Sequence, residues 1–149
     1  MKLEEEIKQQ TFENEHQKAV LNVLFTSSWL QNLSNRFLKS YGISGQQFNV
    51  LRILRGQHPR PAALCTISER MLDKMSNATR LVEKLRQKGL VTRELRAENR
   101  RQVDILITGV GLQVLEDIDE KRRQNEGVLQ SISVEEAREL NRILDKLRS

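Results

Sequence analysis

Apolar residues recur at spacings of three and four along most of the chain, which predicts a helical protein, and the period falls to two in only one stretch. From Thr11 to Tyr41 a broad stripe holds Ala19, Val20, Val23, Leu24, Leu30, Leu33, Phe37 and Tyr41, while Leu21, Phe25 and Trp29 lie on another side. A helix apolar over more than one face is buried between two bodies. The first ten residues are charged and Gln-rich, so a frayed or marginally helical start is expected. Gly42 closes the long helix. Ser44 with Gln47 makes a capping box that opens the next, whose buried face is Phe48, Leu51 and Leu54 and which Gly56, Pro59 and Pro61 terminate.

Residues 61 to 108 read as two short helices, a turn between them, and a two-stranded hairpin. Leu64, Ile67, Met71 and Leu72 form the apolar face of the first helix, and Ala78, Leu81, Val82 and Leu85 that of the second. Pro61 suits a first helical position, Ser76 an N-cap and Gly89 a terminator. Beyond Gly89, Val103, Ile105 and Ile107 alternate on one strand face, with Leu90 to Leu95 as the antiparallel partner. After this hairpin Thr108 caps a fifth long helix, weakened at its start by Gly109 and Gly111, with Leu112, Leu115, Ile118, Arg122, Asn125 and Leu129 along one stripe. Ser133 with Glu136 starts a last helix carrying Val134, Ala137, Leu140, Leu144 and Leu147. The predicted fold is mainly α with a small β-hairpin wing: a winged helix-turn-helix head over 44–108 and a helical base from 11–41 and 109–148. The base helices are expected to interleave with those of a second copy, making a homodimer.

The second short helix exposes Asn77, Thr79, Arg80 and Lys84 opposite its apolar face. Small polar groups near the amino end, followed by long cations, fit a DNA major groove, where a guanidinium can donate two bonds to guanine. Charge placement agrees with this. Residues 60 to 101 hold eleven Lys and Arg against five Asp and Glu, a local +6 in a chain of net +5, so the remainder sums to −1. Such a concentration is the footprint of a polyanion-binding surface.

The stretch SERMLDKMSNATRLVEKLRQKGLVTR followed by NRRQVDILIT resembles the MarR family of winged helix-turn-helix transcription regulators. The resemblance extends in order over nearly the whole chain. It implies a dimer in which Ser76 to Lys84 enters the major groove and Arg101 of the wing approaches the minor groove. Where the family's wing reads Asp-Arg-Arg, this chain has Asn99-Arg100-Arg101, and an amide holds an arginine less firmly than a carboxylate. Between Thr108 and Gly111, where related sequences carry an acidic-basic pair, stands Gly109-Val110. The resemblance also implies a pocket between base and head for a small aromatic acid or phenol, with Phe25, Trp29, Phe37 and Phe48 as its lining.

The expected function is a dimeric, sequence-specific DNA-binding repressor, released by a small ligand, on a pseudo-palindromic operator of double-stranded DNA. Arg80 is the first choice for base contact, with Asn77 and Thr79 assisting and Ser76 counted among the DNA-binding residues. Lys74, Lys84 and Arg96 are assigned to phosphate and Arg101 to the minor groove, with Arg100 a further DNA-binding residue of the wing. The alternative is a helical protein-interaction module whose winged head binds no DNA. Nothing supports an enzyme, a cofactor or a metal. His16 and His58 are far apart, Gly109-x-Gly111 lacks the rest of a dinucleotide fingerprint, and the carboxylates from Glu116 to Glu120 read as a solvated face. The single cysteine, Cys65, reads as a small core residue. Without a signal peptide or an apolar run long enough to span a bilayer, a cytoplasmic protein with no membrane partner is expected.

Overall fold

The computed structural model describes residues 1–96, 98–99, 102–124 and 131–149. The elements run α1 (Leu3–Glu6), α2 (Glu15–Leu38), a 3-10 turn (Lys39–Tyr41), α3 (Gly45–Gln57), β1 (Ala62–Ala63), α4 (Leu64–Arg70), α5 (Ala78–Gln87), β2 (Val91–Leu95), β3 (Val103–Ile107), α6 (Gly109–Gln124) and α7 (Val134–Leu147). Contacts divide them into two compact units, Met1–Leu112 and Gln113–Ser149.

The amino terminus is marginally helical, a single turn over Leu3–Glu6, and it is anchored and not frayed. Leu3 is buried, and Glu4 pairs with Lys18 of α2 at 2.5 Å. The hydrogen bond that Lys18 Nζ donates to Glu4 holds the Glu4 carboxyl below its ordinary pKa and raises that of the Lys18 amine. Helix α2 starts later than its stripe suggests because Asn14 Oδ1 accepts from the Gln17 N–H at 2.9 Å and fixes the first turn there. Its last turn tightens to 3-10 geometry, and Gly42, at φ 67°, ends it in the left-handed region.

Helix α3 is the centre of the first unit, with α2, α4, α5 and β3 all against it. The expected capping box is present, with the Ser44 and Gln47 side chains each accepting from the other's backbone N–H. Gln47, Phe48, Val50, Leu51 and Leu54 are buried. Gly56 does not end the helix, which continues to Gln57. Pro61 is not the first residue of α4 either. It precedes β1, a strand the apolar pattern does not reveal, which pairs with β3 through Ala62↔Ile105 and Ala63↔Asp104. The wing is therefore part of a three-stranded antiparallel sheet in the order β1-β3-β2, with β2 and β3 in register from Val91↔Ile107 to Leu95↔Val103. Two small residues carry no strand signal, and only the open edge of β3 makes them one.

Ile67 and Met71 pack α4 into the core, but two expectations for this helix are overturned. Leu72 is 84% exposed because Met71 already leaves the helix with ψ 138°, which takes the next side chain out of phase with the stripe. Cys65 is exposed, not core, since it lies roughly 100° around the helix from Leu64. Helix α5 buries Ala78, Leu81, Val82 and Leu85 as expected. It ends in a Schellman arrangement, with Leu90 N–H on Leu85 O at 3.0 Å, Gly89 N–H on Arg86 O at 2.9 Å, and Gly89 at φ 72°.

Thr108 caps α6: its Oγ1 accepts from Gly111 N–H at 3.1 Å while donating to Gly89 O at 2.7 Å. Gly111 is required by contact. A Cβ there would lie 2.4 Å from the Leu90 carbonyl oxygen. Further along α6, Leu115 and Ile118 are fully buried and Arg122 is exposed, while Asn125 and Leu129 of the expected stripe lie outside the described residues. Ser133 and Glu136 form the second capping box, opening α7. No described helix is long and apolar enough to cross a membrane.

Candidate nucleic-acid interface

With one side of α5 packed on the core, Thr79, Arg80 and Lys84 are left exposed on the other. The N-cap is Asn77, one residue later than the predicted Ser76. Its Oδ1 accepts from the Arg80 N–H at 3.0 Å, and its amide nitrogen has no partner among the described residues. The shift turns Ser76 inward, where its hydroxyl oxygen is buried without a hydrogen bond among the described residues. Ser76 is therefore a turn residue whose hydroxyl is covered. The side chains of Arg80 and Lys84 make no hydrogen bond or ion pair among the described residues, so both cations are available to an external anion.

The turn that delivers α5 is held from beneath by α3. Asn49 Oδ1 accepts from the Leu72 N–H at 2.9 Å, and Gln46 Nε2 donates to Asp73 Oδ2 at 2.8 Å. The other Asp73 oxygen accepts from the Met75 N–H at 2.9 Å, and its carbonyl from the Ser76 N–H at 3.2 Å. Gln46 and Asn49 were not among the predicted site residues. Their only sequence signal is a spacing of three on a helix whose remaining face is apolar, and a solvated pair would look the same. Lys74 is exposed, with its amine donating to the Glu69 carbonyl at the end of α4.

In the wing, Arg96 follows β2 and its guanidinium is held at two points: Nε donates to Asp104 Oδ1 at 2.7 Å and Nη1 to Gln102 Oε1 at 2.9 Å. Arg100 and Arg101 lie outside the described residues. Two further cations of the basic stretch are engaged within the fold. Arg86 forms a fork with Glu83, its Nη2 2.7 Å from Oε1, and this hydrogen bonding keeps the Glu83 carboxyl below its usual range. Lys88 donates to the Gly42 carbonyl. Part of the local surplus of positive charge is thus held in structural ties, while Arg80 and Lys84 make none among the described residues.

Of the four aromatic residues proposed for a ligand, Phe48 is buried in α3 with the Arg52 guanidinium 5.8 Å from its ring centre. Phe25 and Phe37 of α2 are half-buried, Phe37 beside Tyr41 at 5.9 Å, and Trp29 is 47% exposed. A cleft at the end of α2 is lined instead by Asn35, Lys39, Gly42, Ile43 and Ser44. Among the described residues no group of three or more His, Cys, Asp or Glu is placed to hold a metal ion.

Comparison with known proteins supplies the relationship. The MarR family model matches residues 43–103, the span from the start of α3 to the wing. No curated protein sequence matches the chain. Among solved structures, a MarR transcription factor from Planctomyces limnophilus is 33% identical, covering 91% of this chain and 98% of its own, with a TM-score of 0.68. An organohalide-sensing transcriptional regulator in its 2,4-dichlorophenol-bound form is 23% identical over 93% of this chain and 81% of its own, at a TM-score of 0.80. A MarR mutant from E. coli complexed with operator DNA shares the fold at 19% identity and a TM-score of 0.76, over 93% and 99% of the two chains. With a third of its residues shared over nearly the full length of the Planctomyces protein, and with the family's helix-turn-helix pattern at residues 43–103, the chain belongs to the MarR family of DNA-binding transcription regulators.

Proposed function

We propose that the protein is a cytoplasmic homodimeric repressor that binds a pseudo-palindromic operator and is released by a small aromatic ligand. The observation that carries the DNA-reading part is the division of α5 into a buried apolar side and an exposed side holding Asn77, Thr79, Arg80 and Lys84, on a turn braced by Asn49 and Gln46. A helix held in this way can enter a major groove without first paying to order its own amino end. Arg80 reads a base, Asn77 and Thr79 assist, Lys74 and Lys84 meet phosphate, and Arg101 reaches the minor groove.

The dimer reading is supported by apolar residues that one chain leaves open. Val20, Leu24 and Trp29 of α2, and Val134, Ile143 and Leu147 of α7, are each between 47% and 62% exposed. A second copy covers them, making 11–41 and 109–148 the dimerisation helices and 44–108 the DNA-binding region. The ligand reading draws on the relative bound to 2,4-dichlorophenol and on the aromatic residues Phe25, Trp29 and Phe37 along α2.

Selection of binding sites from random duplex DNA with the purified protein, combined with its mass in solution, tests this reading. A recovered motif with two-fold symmetry, bound by a dimer with an affinity that falls steeply with salt, is expected. A monomer, or the absence of salt-sensitive DNA binding, overturns it and favours a protein-interaction module.

A further inference from the structure

The turn between α4 and α5 exposes two large apolar side chains, Leu72 at 84% and Met75 at 92%. Looseness does not explain them. The Leu72 N–H is tied to Asn49 and the Met75 N–H to Asp73, both at 2.9 Å, so each side chain leaves the surface from a fixed backbone. Single exposed apolar residues are ordinary on any protein. Here two lie in one braced turn, and Lys74, Asn77, Thr79 and Arg80, exposed and polar or cationic, are their neighbours in sequence.

That surrounding surface identifies the occupant. An apolar spot of two side chains is too small for a lipid surface or a helix groove, and along the chain it leads directly into the face assigned above to a polyanion, with Lys74 exposed between the two and both Asp73 oxygens engaged by Gln46 and the Met75 N–H. The major groove of DNA presents one apolar group on its base edges, the C5 methyl of thymine. We infer that Leu72 and Met75 extend the reading surface of α5 by packing against thymine methyls, and so favour T·A pairs beside those read by Arg80. The inference rests on the DNA-binding reading. The branched Leu72 side chain makes the more position-specific contact, while the flexible thioether of Met75 adapts to its surroundings.

The test uses the selected operator and the full-length protein. Each thymine in turn is replaced by deoxyuridine, which removes only the methyl group, and affinities are measured for the wild-type chain and for Leu72→Ala and Met75→Ala. Both positions are solvent-exposed, and matching thermal melts verify that the variants fold. For the wild-type chain, one or two deoxyuridine positions per half-site weaken binding roughly three- to fivefold, the scale of one buried methyl. At those positions Leu72→Ala or Met75→Ala removes the penalty, so that the double change costs no more than either single change. Persistence of the penalty in both variants, or no methyl sensitivity at any position, overturns the inference while leaving DNA binding intact. Failure to select any DNA overturns this inference together with the reading on which it rests.

Discussion

Asp104 Oδ1 accepts a 2.7 Å hydrogen bond from Arg96 Nε across the two wing strands, and Gln102 takes the adjacent Nη1. The guanidinium expected to meet phosphate is therefore anchored to the wing itself. Pairs as exposed as this one contribute less than about 1 kcal/mol to stability. Arg96 is expected to act as a wing strut: Arg96→Ala and Asp104→Ala each weaken operator binding, and the double variant loses no more than the worse single one. Salt titration checks the assignment. A direct phosphate contact by Arg96 would lower the slope of log affinity against log salt by about 0.9, and the strut reading predicts a clearly smaller change.

Arg80→Ala is expected to cost about 1 to 3 kcal/mol on the selected operator and to relax its sequence preference. Binding to operator and to random duplex, measured side by side, decides the role. An equal loss on both would make Arg80 a phosphate contact.

Asn77 caps α5 and, in the proposed complex, contacts DNA, two duties that substitution separates. Its Oδ1 caps α5 through the Arg80 N–H at 3.0 Å, so Asn77→Ala should destabilise the fold by about 0.5 to 2 kcal/mol. Asn77→Ser keeps a capping oxygen but no amide nitrogen. The serine variant should melt close to wild type and still bind operator more weakly, as read by thermal unfolding and a binding isotherm on the same preparation.

Asn49 is not itself assigned to DNA, yet its side chain holds the Leu72 N–H. Asn49→Ala should cost about 1 kcal/mol in stability and reduce operator affinity by a comparable or larger amount, because the turn presenting α5 loosens. Unchanged affinity alongside reduced stability would show that the brace serves folding alone.

The two glycines opening α6 should respond in opposite directions. An added Cβ at Gly109 meets nothing within 4 Å, so Gly109→Ala should stabilise by up to about 1 kcal/mol. At Gly111 the same methyl would press on the Leu90 backbone, and Gly111→Ala should destabilise by about 1 to 3 kcal/mol. Denaturant unfolding of the two variants distinguishes steric from conformational demand within one helix start.

Much of the architecture was legible because it is set by interactions between near neighbours in sequence. Ser44 with Gln47, Ser133 with Glu136, Gly89 after Leu85, and the alternation of Ile105 with Ile107 are decided within a few residues, and each element stands where its pattern places it. The basic stretch and the apolar side of α5 were equally readable. Boundaries were less so: Asn77 displaced Ser76 as the cap, since two adjacent residues could both serve.

The sequence by itself determined the order and type of the helices, the helix proposed to read DNA and the family to which the chain belongs, since periodicity, caps and motif spacing are local properties of a chain. Only the tertiary structure decided which polar groups are free. It paired β1 with β3, turned Leu72 and Cys65 outward, closed Arg96 onto Asp104 and Gln102, and set Asn49 beneath the turn. Each of these depends on a partner or on a change of helix phase that no run of residues contains, and the charge and hydrogen bonds a side chain retains for DNA are those its own fold has not used.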